Sequence, residues 1–138
     1  MNLQLSLLCL NLLQHYSSRT RITYSDSGKP MNISDVMYYM ENNYTSITVQ
    51  DIAKKFGYSS DYLNQIFKKM TSHTIGEMLL SLKMQKACSL LTDTSLPVSA
   101  VAEYLGYHNT PNLIRSFKKY YGITPAQYRK DFHKSTSI

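Results

Sequence analysis

The sequence predicts an all-α fold: a seven-helix tandem helix-turn-helix domain with a spacer helix, preceded by a leucine-rich helix and linker. Three observations lead there. From Asn32 onward apolar residues recur at helical spacing, with no convincing alternating strand pattern. Capping boxes, prolines and glycines mark helix starts and stops at matching places. One stretch also repeats: SITVQDIAKKFGYSSDYLNQIFKKMTSHT aligns with SLPVSAVAEYLGYHNTPNLIRSFKKYYGIT at an offset of 49, rising to 50 after one extra residue near Pro111.

Two segments follow from the pattern, residues 1–30 as a leucine-rich helix with its linker and residues 31–138 as the tandem domain. In the first, Leu3, Leu7, Leu10 and Leu13 or Gln14 fall on one helical stripe and Leu5, Leu8 and Leu12 on an adjacent one. So wide an apolar surface needs cover. Two readings stand: a helix packed on the domain that follows, or a helix that packs on a partner subunit or a preceding domain, which would make residues 1–16 a homodimer contact. Gln4, Asn11 and Gln14 interrupt the stretch, and it lacks a basic start and a small-residue cleavage site, so neither an export signal nor a membrane anchor is expected. Ser17 to Pro30, rich in serine with Gly28 and Pro30, reads as the linker.

The first helix of the domain is expected over Ser34 to Asn43, with Val36, Met37 and Met40 inward. Thr48-Val49-Gln50-Asp51 forms a capping box for the second, flanked by Ile47 and Ile52 as a hydrophobic staple, and Gly57 ends it. The third begins at Ser59 or Ser60 and turns Leu63, Ile66 and Phe67 toward the core. A second capping box, Thr74-Ile75-Gly76-Glu77, opens the fourth, a spacer of about 18 residues and roughly 27 Å. Pro97 precedes the fifth, with Val98, Val101, Ala102 and Leu105 apolar and Gly106 closing it. Thr110-Pro111 starts the sixth, carrying Leu113 and Phe117, and Thr124-Pro125 starts a short seventh through Tyr128.

The net charge is +6, from 15 Lys and Arg against 9 Asp and Glu. Residues 1–45 are neutral, so the whole excess lies in residues 46–138, which fits a polyanionic partner. Cys9 and Cys88 are too far apart in context to suggest a disulfide framework, and a reducing cytoplasm is the simpler location.

Within each repeat a helix, a glycine-containing turn and a second helix follow one another, which is a helix-turn-helix. The recurring residues have physical reasons: Ala53 and Ala102 are small where two helices approach, while Leu63 with Phe67 and Leu113 with Phe117 anchor the second helix. Its outward residues are polar and suitably placed for base edges in a major groove. In the first copy these are Ser60, Asp61, Asn64 and Gln65, and in the second Thr110, Asn112, Ile114 and Arg115. Asn and Gln can pair two-point with adenine, Arg with guanine, and Ile can touch a thymine methyl. Lys68, Lys69, Lys118 and Lys119 near the far helix ends suit phosphates. One such FKK cluster alone would be a solvated helix end; its recurrence at matched positions favours a shared task.

Residues 33–132 resemble the DNA-binding domain of the AraC/XylS family of bacterial transcription regulators. The resemblance rests on IAKKFGYSSDYLNQIFKK, on the spacer ending KACSLL, and on VAEYLGYHNTPNLIRSFKKYYGITPAQYR, with Tyr121-Gly122-Ile123-Thr124-Pro125 and Tyr128-Arg129 at the family's spacing. It implies two recognition helices in successive major grooves of a double-stranded DNA operator and control of transcription initiation, with RNA polymerase as a partner. The chain departs from the pattern at Lys83, where an arginine is usual, at Ser116, normally apolar, and at Ile114, where a small polar residue is common. Residues 1–16 resemble the last helix of a companion domain, so the chain reads either as the C-terminal portion of a longer regulator or as a short member.

Two rival classes are weaker. His15, His73, His108 and His133 form no short-range pair, and no nucleophile constellation or phosphate loop presents itself, so neither an enzyme, nor a metal site, nor a cofactor is expected. A helical protein-interaction module acting without DNA would use the 12 tyrosines, yet Tyr58, Tyr107 and Tyr128 fall at turn or core-like positions of the family pattern.

Overall fold

The structure, a computed structural model, describes residues 31–137. Residues 1–30, with the expected leucine-rich helix, linker and homodimer contact, lie outside the described residues. Among the described residues the chain forms seven helices: α1 (Ile33–Asn43), α2 (Val49–Phe56), α3 (Ser60–Thr71), α4 (Ile75–Asp93), α5 (Val98–Tyr104), α6 (Thr110–Tyr121) and α7 (Pro125–Thr136). Two compact units divide after Leu79, one helix-turn-helix to each.

In the first unit α1 packs on α2 and α2 on α3. The start of α1 is capped by Asn32, whose side chain accepts the Ser34 N–H at 3.0 Å. At α2 the predicted capping box is complete: the Thr48 hydroxyl accepts the Asp51 N–H at 3.2 Å, and the Asp51 carboxylate accepts the Thr48 N–H at 2.8 Å. Those two bonds use orphan donors that a helix start otherwise leaves to water. Gly57 then turns the chain at φ +77°, left-handed backbone that a side chain would strain. Val36, Met40, Ile52, Leu63 and Phe67 are sealed in the core. Truncating Leu63 or Phe67 to alanine in such a core costs about 2–5 kcal/mol, which is what holds the outer face of α3 in a fixed orientation. Ile66, expected inward, is only half-buried, because the apolar stripe of α3 is narrow and Leu63 and Phe67 fill it.

In the second unit α5 packs on α6 and α6 on α7. Val101, Leu105, Leu113 and Phe117 are buried, and the Phe117 ring meets Tyr121 and Tyr128 at centroid distances of 4.7 and 5.6 Å. Burial first, and then a hydrogen bond with the Cys88 thiol, push the Tyr128 phenol up to about 12 and raise Tyr121 in the same direction.

Two boundaries differ from expectation. The cap of α6 is Asn109, not Thr110: its side chain accepts the Asn112 N–H at 2.9 Å, and Thr110 and Pro111 are already helical. The last helix does not stop near Tyr128 but continues to Thr136 on a solvated face with little apolar signal.

Candidate nucleic-acid interface

Helices α3 and α6 occupy equivalent places, and their ends are built alike. Ser59 caps α3 by accepting the Tyr62 N–H at 3.2 Å, as Asn109 caps α6. At the far ends Ser72 (φ +66°) and Gly122 (φ +84°) take left-handed backbone, donating their N–H groups to the Lys68 and Lys118 carbonyls at 2.8 and 2.7 Å.

Exposure repeats residue for residue between the two helices. Counting 50 positions on from Ser60–Met70 to Thr110–Tyr120, Leu63/Leu113 and Phe67/Phe117 are buried. Asp61/Pro111, Gln65/Arg115, Lys68/Lys118 and Lys69/Lys119 are exposed, and the remaining pairs are half-buried. The extra residue of the second copy therefore falls in the turn at His108, ahead of Pro111. Exposed positions spaced by four, three and one make a single stripe along each helix. Of the eight residues expected to read bases, Asp61, Gln65 and Arg115 lie on that stripe in the open, while Ser60, Asn64, Thr110, Asn112 and Ile114 lie half-buried beside it. The four lysines expected on phosphates share the stripe, in the last turn of each helix, where they also complement the helix dipole.

Arg115, Asn112 and Asn64 are among the candidate residues that carry internal bonds. The Arg115 guanidinium donates to the Asn112 side chain one turn earlier, so the two polar groups are held together on α6. Asn64 accepts the Ile75 N–H at 3.2 Å, eleven residues on.

Lys83 and Arg129, which the sequence marks only against the family pattern, and Lys86, which it does not mark, take defined places here. Lys83 lies 5.2 Å from the Tyr107 ring centroid and Lys86 5.7 Å from that of Tyr104, so two ammonium groups of α4 stack on aromatic rings of the second helix-turn-helix. Burial holds the Lys83 ammonium below the usual lysine range. Arg129 on α7 donates from Nε to the Leu91 carbonyl at 3.0 Å and from its terminal nitrogen to the Leu96 carbonyl, closing the end of α4 and the loop after it. The only hint in the sequence is that α4 ends without a basic residue in its last turn; the arginine that serves Leu91 lies 38 positions further on, in α7.

Among the described residues no group of three or more His, Cys, Asp or Glu side chains is placed to hold a metal ion, and no helix is long and apolar enough to cross a membrane.

Comparison with known proteins agrees with this geometry. Residues 52–131 match the helix-turn-helix domain family. YtdP of Bacillus subtilis, an uncharacterized HTH-type transcriptional regulator, is 40% identical over 101 residues, covering 72% of this chain but 13% of YtdP. The multiple antibiotic resistance protein MarA of Escherichia coli is 30% identical over 100 residues, covering 72% of this chain and 79% of MarA. Among solved structures, the C-terminal domain of the two-component response regulator yesN from Fusobacterium nucleatum is similar at 36% identity and a TM-score of 0.68, over 72% of this chain and 99% of that domain. The chain belongs to the AraC/XylS family and carries its tandem helix-turn-helix DNA-binding domain. It spans only a small part of YtdP and most of MarA.

Proposed function

We propose that this chain binds double-stranded DNA in a sequence-specific manner and regulates transcription initiation, with α3 and α6 entering successive major grooves. Gln65 and Arg115 face base edges, with Ser60, Asp61, Thr110 and Asn112 at the groove-facing starts of the helices, and Lys68, Lys69, Lys118 and Lys119 take phosphates. The observation that carries the reading is the residue-for-residue recurrence of one exposed stripe on two helices. A packing constraint alone would repeat the buried positions; it has no reason to repeat a lysine pair in solvent. YtdP is named as a transcriptional regulator and the yesN domain comes from a response regulator, which supports the regulatory half. RNA polymerase as a partner, a homodimer through residues 1–16 and a cytoplasmic location belong to the same proposal.

The test is selection from a random pool of duplex DNA followed by footprinting of the selected site. Two grooves engaged by one chain should protect about two turns, roughly 20 base pairs. Protection confined to one major groove would leave only one repeat active and contradict the tandem reading.

A further inference from the structure

The bond between Asn64 and the backbone of Ile75 has a counterpart in the second repeat that explains both. Ile75 is the first residue of α4, and its side chain is fully buried. A helix start leaves orphan N–H groups, and one that is shut away from water must find a partner inside the protein. Two of the groups here are satisfied locally: Glu77 accepts the Thr74 N–H at 3.0 Å, and Thr74 accepts the Glu77 N–H at 3.1 Å. The Ile75 N–H is instead served by Asn64, from α3.

Fifty residues on, the same three places are held by Ile114, Thr124 and Pro125. Thr124 again caps its helix, accepting the Gln127 N–H at 3.2 Å. Pro125, buried at the first helical position, has no N–H to satisfy. The acceptor is accordingly gone, and apolar Ile114 stands in place of Asn64. The repeat with a donor has an amide, and the repeat without a donor has a hydrocarbon. Either exchange made alone would break the match: Ile at 64 would strand a buried N–H, and Asn at 114 would half-bury an amide beside a helix start that offers no donor.

We propose that residues 64 and 114 are positioning residues that seat each recognition helix against the start of the next helix, and that they do not read bases. Ile114 is compatible with Pro125, which offers no donor, and mid-helix readout falls to Gln65 and Arg115 alone. The effect on affinity rests on the DNA-binding reading; the bond itself does not.

Four forms of the full chain test this: Asn64→Ile, Ile75→Pro, the two together, and the acceptor-retaining Asn64→Asp. In Asn64→Ile the Ile75 amide should exchange with deuterium roughly tenfold faster or more and the melting temperature should fall, while Asn64→Asp should keep the amide protected. Joined with Ile75→Pro, which transplants the solution of the second repeat, Asn64→Ile should lose most of its penalty, so that the double variant melts well above the sum of the single effects. On DNA, Asn64→Ile should weaken the selected site and its single-base variants by similar factors. Strict additivity of the two substitutions would overturn the proposal, as would an Asn64→Ile protein with unchanged exchange at Ile75 and altered preference at one base pair. Should the wild-type chain select no DNA at all, the DNA-binding reading fails, while exchange and melting still decide the bond.

Discussion

Replacing Arg129 by alanine removes two hydrogen bonds at once, from Nε to the Leu91 carbonyl at 3.0 Å and from the terminal nitrogen to the Leu96 carbonyl. Leu91 is fully buried and lies in the last turn of α4, which has no basic residue of its own, so its carbonyl would lose a charged partner at the negative end of a helix dipole. A hydrogen bond to a charged group is worth about 1.5–3 kcal/mol when desolvated. The Leu91 bond is half-buried and the Leu96 bond exposed, so the pair together should contribute about 2–3 kcal/mol rather than twice the upper figure. Arg129→Lys keeps the charge but not the fork and should recover less than half of that loss. Urea denaturation of the three proteins, followed by circular dichroism, reads the difference directly. Since Arg129 ties α7 to the end of α4 and does not lie on the α6 stripe, affinity for all DNA sequences should fall together. A loss below about 0.5 kcal/mol, the range of ordinary surface substitutions, would refute the argument that these carbonyls depend on Arg129.

Two further expectations follow from the helix ends. Ser72 holds the left-handed backbone that Gly122 holds in the second repeat, so Ser72→Gly should raise stability by about 0.5–1 kcal/mol in the same denaturation assay, and a loss of stability would contradict the strain assigned there. Asp51 is kept below its usual pKa of 3.8, chiefly by the Thr48 N–H and then by the Thr48 hydroxyl. A depressed carboxyl stabilises above the unfolded value and ceases to as pH falls through the folded one. Wild type should therefore melt higher than Asp51→Asn near neutral pH, with the gap closing from pH 3.8 downward. A gap that does not depend on pH would show that charge on Asp51 is irrelevant to the cap.

The parts of the fold written into the sequence are those fixed by local chemistry. Thr48 with Asp51, Thr74 with Glu77, and Gly57 declare helix ends within a few residues of themselves, and the structure has all of them. The repeat was equally legible, because Leu63/Phe67 and Leu113/Phe117 must recur for the second helix of each unit to be held. What could not be read depends on distant residues or on solvated faces. Asn64 looks like any polar residue on a recognition helix until Ile75 is seen eleven positions away, and Arg129 shows no purpose until the end of α4 lies beside it. The later half of α7 is exposed along its length, so no apolar period announces it. Ser81 and Met84 are buried on α4 although neither stood out, since a helix with so little amphipathic contrast does not declare which side faces inward.

On the proposed reading the outer stripe of α6 divides into a base reader and phosphate binders, and one set of binding titrations distinguishes the two roles. Arg115→Ala and Lys118→Ala are titrated on the selected duplex and on each of its single-base variants, at several salt concentrations. Arg115→Ala should cost about 1–3 kcal/mol on the selected site and relax preference at one base pair. Lys118→Ala should weaken every duplex by a similar factor and reduce the salt slope by about one unit, with base preference intact. Uniform weakening by Arg115→Ala together with altered base preference in Lys118→Ala would contradict the account of how α6 meets DNA.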